Sequence, residues 1–184
     1  MDKLWRVLYS PRAVFDELRS DLQIVIPLVA VLGANTISWS IVNSNPWLLV
    51  TAPLGYLVYI ALLGAGFYVV GKICRTGHGW TPWIGFALWM QVPLAITAIL
   101  DVLLTVLFGE SPTITLFTIG NTAFPVSTAT IWWVWTYTIS IHGLRSWTSK
   151  SRFACVGLAL LPHLFLMLPW LLIFIYVTTV FIVT

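Results

Sequence analysis

Asp101 is the one carboxylate inside any apolar run of this chain, and Thr97 and Thr105 stand four residues to either side of it. Positions four apart share a helix face, so the three make a polar line, and Pro93 extends it. If the span around it runs over 83–108, Asp101 lies about 9 Å from the midplane, toward the outer side. A carboxylate at membrane depth faces a bundle interior, because lipid exposure costs at least about 2.5 kcal/mol. Two chemistries fit. One is a proton or cation site. The other is a packing seam, in which a hydrogen-bonded Asp ties helices together through Thr and Ser hydroxyls. No Lys or Arg sits at membrane depth to pair with Asp101, which favours the seam.

Gln91 and His163 fall near mid-membrane by residue count. They can bond each other or line a cavity. Alternatively His163, which follows Pro162, bonds a carbonyl freed at a kink. Cys74, His78, His142 and Cys155 form the one ligand-like set. Cys and His are good zinc ligands, and Cys74-x-x-x-His78 has a usable spacing. The other two are separated by twelve residues and lack the paired spacing of a zinc finger, so the set reads as unrelated residues in two basic turns. No metal or other cofactor is expected. No P-loop, GxSxG or HExxH motif is present, which argues against an enzyme. The net charge of +3 is too small to argue for nucleic acid.

The elements that carry these residues are membrane spans. Of 184 residues, 59% are hydrophobic and 8% charged, and the mean hydropathy is +0.95. Soluble domains carry about 25% charged residues. The apolar runs are continuous rather than alternating, which excludes a β-barrel. The fold class is all-α: a polytopic bundle of five transmembrane helices with a short amphipathic N-terminal helical region. The spans cover about 22–42, 47–70, 81–108, 122–141 and 153–184, so residues 22–184 form one transmembrane domain.

Residues 1–21 form a separate amphipathic segment outside the membrane. Ser10-Pro11 is a helix-start signal. Val14, Phe15, Leu18 and Leu22 repeat at helical spacing, with Arg12, Asp16 and Arg19 placed to pair on the other side. Leu4, Trp5, Leu8 and Tyr9 make a similar stripe upstream. The pattern predicts two short helices lying on the bilayer surface. The first apolar run starts only after this mixed-charge stretch, the wrong shape for a cleavable leader.

Asn43-Ser44-Asn45-Pro46 reads as a tight turn. Gly55, Gly64, Gly66 and the Ala61/Ala65 pair give the second span small surfaces for close helix contact. Trp47 reads as an interfacial anchor, and Trp89 as packing. Residues 109–121 read as a loop whose TITLFTI core can lie in the interface. The last run is too long for one straight span, since its 32 residues would cover about 48 Å as helix. Pro162 and Pro169 offer kinks. One kinked span, or a span plus a re-entrant piece, are the two readings.

Charge placement sets the topology. Lys3, Arg6, Arg12 and Arg19 precede the first span. Lys72 and Arg75 lie between the second and third, and Arg145, Lys150 and Arg152 between the fourth and fifth. These are all nine cations. Five spans put every one on the same side, so the positive-inside rule places the N-terminus in the cytoplasm and the C-terminus outside. Lys72, Arg75, Arg145, Lys150 and Arg152 then form a cytoplasmic basic face that can meet anionic headgroups. Cys74 and Cys155 sit on that side, where a reduced pair is expected.

Four features carry a family resemblance. LYSPRAVFDEL stands immediately before the first span. GKICRTGHGW leads into a span containing MQVP. A tryptophan-rich fourth span runs into WTYTISIHGLRSWTSKSRFA. The plan has five spans with a cytosolic N-terminus. Together these resemble prokaryotic members of the YIP (Ypt-interacting protein) family. The resemblance implies a bundle fold and a prokaryotic inner-membrane location, without a reaction. Eukaryotic relatives are implied in vesicle trafficking with Rab-type GTPases, through longer N-terminal regions than this chain has.

The reading that follows is a non-enzymatic scaffold or membrane-organising protein. Its partners are the lipid bilayer and other membrane proteins or further copies of itself, with no nucleic acid. The alternative is a small, oligomeric transporter or channel subunit using Asp101, Gln91 and His163 as a polar path. A cryptic lipid-modifying enzyme ranks last.

Overall fold

A computed structural model describes residues 2–109, 114–119, 122–126 and 128–166. Two short helices come first, α1 (Asp2–Tyr9) and α2 (Pro11–Leu18). Pro11 takes the first helical position, where its missing N–H costs nothing. Ser10 precedes it as the N-cap residue, but its hydroxyl makes no capping bond.

The apolar face of α2 packs against the protein rather than facing outward, whereas Trp5 and Tyr9 of the α1 stripe stay exposed. Val7, Val14, Phe15 and Leu18 are at most 1% exposed within the protein itself. The Phe15 ring lies 4.7 Å from Phe86, and the Trp147 indole N–H donates to the Phe15 carbonyl at 2.9 Å. An amphipathic stripe reports that one face is apolar. It does not report whether lipid or protein covers it. Nor do Arg12 and Arg19 pair with Asp16. That carboxylate accepts instead from the Ser146 hydroxyl at 2.5 Å.

α3 (Val25–Val42) and α4 (Leu48–Ile73) follow, joined by the expected turn. Ser44 there has a positive φ of 50°, and the Asn45 side-chain oxygen accepts from the Trp47 N–H at 3.1 Å. The third apolar run breaks at Gln91 into α5 (Trp80–Met90) and α6 (Val92–Phe108). Pro93 has no N–H to return to the Trp89 carbonyl, so the helix cannot continue regularly. The Gln91 and Leu94 N–H groups each bond a carbonyl three residues back, which tightens the turn. α3 lies along α6, and α4 along α5.

A two-stranded antiparallel hairpin then interrupts the otherwise helical chain. β1 (Ile114–Ile119) pairs with β2 (Thr122–Val126), and Ile119 faces Thr122 in register. Residues 114–119 were expected as loop and 122–126 as the start of the fourth span. The helix of that span, α7 (Thr128–Thr148), begins two residues after β2. α8 (Arg152–Leu166) closes the described chain. Residues 167–184, with Pro169 and the choice between one kinked span and a re-entrant piece, lie outside the described residues.

Among the described residues, α3, α4 and the α5–α6 pair are long and apolar enough to cross a membrane. Where α2, α4, α5 and α7 meet, their aromatic side chains form the centre of the core. Phe67 and Phe86 lie 4.8 Å apart, Trp83 and Trp147 5.0 Å, and Phe86 and Trp147 5.2 Å. Two glycines permit this approach. A Cβ on Gly71 would stand 2.5 Å from the Trp83 indole, and one on Gly143 would stand 2.7 Å from Phe86. Of the small residues singled out on α4, Gly64 meets Ile84 and Gly66 meets Pro162, while Gly55 faces open space.

Candidate functional site

The polar residues predicted at membrane depth are spread over the α5–α6 break, α6 and α8. Thr97 is buried, and its hydroxyl donates within its own helix, to the carbonyls of Pro93 and Leu94 at 3.3 and 3.1 Å. Asp101, one turn on, is partly exposed on α6. The Thr105 hydroxyl is buried without a hydrogen-bond partner among the described residues.

Gln91 sits at the α5–α6 break and is fully buried. Its amide N–H donates to the Tyr59 hydroxyl at 3.2 Å, and its oxygen accepts from Tyr56 at 3.4 Å. Gln91 therefore ties the break to α4. It does not bond His163, a pairing the sequence left open. His163 Nδ1 lies 2.9 Å from the Ala159 carbonyl, and the ring packs 4.8 Å from Trp133. Trp89 is buried packing, as expected, with its indole N–H donating to the Gln23 carbonyl at 2.7 Å.

Cys74, His78, His142 and Cys155 do not assemble into a metal site. No group of three or more His, Cys, Asp or Glu side chains that could hold a metal occurs among the described residues. Both cysteines are free thiols. His78 turns into the aromatic core, 5.0 Å from Trp147, and the Cys155 thiol lies 3.9 Å from the Thr148 hydroxyl.

What does converge is the charge. The N-terminal helices, the α4–α5 turn and the α7–α8 turn all meet at one end of the bundle. Trp147 and Ser146 of α7 bond Phe15 and Asp16 of α2. Burial and the guanidinium of Arg19 push the His78 imidazole below its ordinary value. Burial raises the Cys74 thiol, against a smaller opposing pull from Lys150.

Two of the N-terminal cations are paired. Lys3 meets Asp21 at 3.3 Å and Arg6 meets Glu17 at 2.6 Å. Lys72 lies over the Tyr68 ring, 5.1 Å from its centroid. Arg12 and Arg19, by contrast, line a cleft with Asp16, Arg145, Ser146, Ser149, Lys150 and Ser151, of about 480 Å³. Sequence reasoning placed Arg12 and Arg19 on the polar face of α2 but missed the cleft. The signal available was their spacing opposite Val14, Phe15 and Leu18, which fixes where they point once that face is docked.

His78 makes the basic end sensitive to acid. A group whose folded pKa is lowered leaves the unfolded chain binding more protons, so stability rises with pH through that window. The contribution of His78 is present above the ordinary histidine value of about 6.5 and is lost as pH falls through the range below it. Melting of the detergent-solubilised protein should therefore shift downward between about pH 7 and pH 5. His78→Gln should flatten that dependence. An unchanged slope in His78→Gln would remove His78 as its source.

The model of the Yip1 domain family matches residues 5–175, nearly all of the chain. No curated protein and no solved structure matches it.

Proposed function

This chain belongs to the Yip1 domain family, and we propose that it works as a non-enzymatic membrane scaffold whose basic end recruits partners and organises the adjoining lipid. The family is one of trafficking-associated membrane proteins that are generally not enzymes. The observation that carries the reading is the meeting of the N-terminal helices, the α4–α5 turn and the α7–α8 turn at one end of the bundle. That end also exposes Trp5 and Tyr9, at 62% and 74%.

In this proposal residues 1–21 are a docked part of that end, and residues 22–184 form a five-span domain. α7 and the run that α8 begins supply the fourth and fifth crossings. α7 is 21 residues long, about 30 Å as helix, which matches a hydrocarbon core. The basic end, including Lys72, Arg75, Arg145, Lys150 and Arg152, then lies in the cytoplasm by the positive-inside rule, and the C-terminus outside. The location is a prokaryotic inner membrane, and the partners are other membrane proteins or further copies of the chain.

A transporter would instead route protons or cations along Thr97, Asp101, Thr105, Gln91 and His163. Gln91 and His163 have their hydrogen-bonding groups engaged locally by Tyr56, Tyr59 and Ala159, which supports the structural role. Asp101→Asn should accordingly fold normally and leave ion or proton flux in proteoliposomes at the level of the parent protein. A flux carried by the parent and abolished by Asp101→Asn, with an unchanged melting profile, would establish the transport role instead.

A further inference from the structure

We infer that the cleft between α2 and the α7–α8 turn binds a phosphoester group through Arg12, Arg19, Arg145 and Lys150. The inference rests on the reading of the basic end as the working face and names what that face holds.

Four cations line one cleft of about 480 Å³ against a single carboxylate, Asp16. That size lies within the ~300–1,000 Å³ usual for ligand pockets. Asp16 accepts from Ser146. Among the described residues none of the four cations makes an ion pair, whereas Lys3 and Arg6 of the same N-terminal segment do. Four cations set against one carboxylate repel one another, and a further anion placed among them reduces that cost.

The chemistry selects a phosphoester over a carboxylate. A phosphomonoester carries about −1.5 to −2 charge at pH 7 and three acceptor oxygens. The three guanidiniums offer planar forks suited to bidentate contact with phosphate, and Lys150 adds a point charge. The cleft also borders the N-terminus of α8, where Ser151 accepts from the Ala154 N–H at 3.3 Å. A helix N-terminus carries partial positive charge and adds to the same attraction.

The same group can arrive on a lipid headgroup or on a free metabolite. The test titrates dioctanoyl phosphatidic acid into the full chain in neutral detergent and follows the thermal midpoint. The double variant Arg12→Gln/Arg145→Gln should weaken apparent affinity roughly tenfold or more, at about 1 kcal/mol per surface cation. Lys72→Gln/Arg75→Gln, which alters cations of the same end outside the cleft, should change it less than about twofold. Without ligand, Arg12→Gln/Arg145→Gln should melt at or above the parent, since two like charges are gone.

Competition by glycerol 3-phosphate or inorganic phosphate assigns a free phosphoester. Binding only of phosphatidic acid, in detergent and in phosphatidylcholine nanodiscs, assigns a headgroup. Either outcome upholds the site. Equal loss in both double variants, loss in neither, or a ligand-free midpoint below the parent overturns it. Such a failure with protein partners still captured at the basic end leaves the proposed function standing.

Discussion

Trp147→Ala should cost about 3–5 kcal/mol of stability, the range for emptying a buried large aromatic site, and should release the N-terminal helices from the bundle. Trp147 is 3% exposed and lies within 5.2 Å, ring to ring, of His78, Trp83 and Phe86. Its indole N–H also holds the Phe15 carbonyl of α2. The substitution therefore removes a core ring and an interhelical bond together. Trp147→Phe keeps much of the ring packing and loses the bond, for about 1 kcal/mol on that account. Melting curves report the first effect. Limited proteolysis within residues 1–21 reports the second, and resistance equal to the parent in Trp147→Ala would show that α2 docks without this residue.

Gly71→Leu should prevent recovery of folded protein, and Gly71→Ala should lower stability by about 1–3 kcal/mol, as overpacked cores do. An added Cβ would stand 2.5 Å from three atoms of the Trp83 indole, a ring with no exposed surface. Trp83 is wedged among Phe67, Phe86 and Trp147 and has no open direction in which to move. Gly55 lies on the same helix and supplies the control, since a Cβ there meets nothing within 4 Å. Gly55→Ala should be neutral or stabilise by up to about 1 kcal/mol, from helix propensity alone. Comparable melting of Gly71→Ala and Gly55→Ala would contradict the close approach of α4 and α5.

The two variants also show what could be read from sequence. That α4 presents small residues for packing was legible, because glycine in a membrane helix marks close approach. Which glycine carries the approach was not, since Gly55, Gly64, Gly66 and Gly71 differ only in what stands opposite. The first three spans were legible from apolar length. The meeting of the basic turns with the N-terminal helices at one end agrees with the placement of the cations in the sequence. His163 bonds a carbonyl of its own helix, one of the readings the sequence left open.

Two of the misses come from long-range contact. The stripe of Val14, Phe15 and Leu18 pointed to an apolar partner and could not say that the partner was Phe86 and Trp147. Residues 81–108 were read as one span, and the anchoring of its break at Gln91 by Tyr56 and Tyr59 depends on a helix 32 to 35 residues away. The hairpin was readable and was passed over. Its strands ITLFTI and TAFPV are rich in β-branched and aromatic residues and are separated by Gly120-Asn121, a recognised hairpin dipeptide.

The account turns on one end of the bundle being the face that meets other proteins. Site-specific photo-cross-linking in native membranes tests it, with a photoreactive side chain at Tyr9 or Arg75 of the basic end, or at Asn45 or Phe108 of the opposite end. Protein adducts should form from Tyr9 and Arg75 and be absent from Asn45 and Phe108. Adducts formed from Asn45 and Phe108, with none from Tyr9 or Arg75, would contradict the assignment of the basic end as the working face.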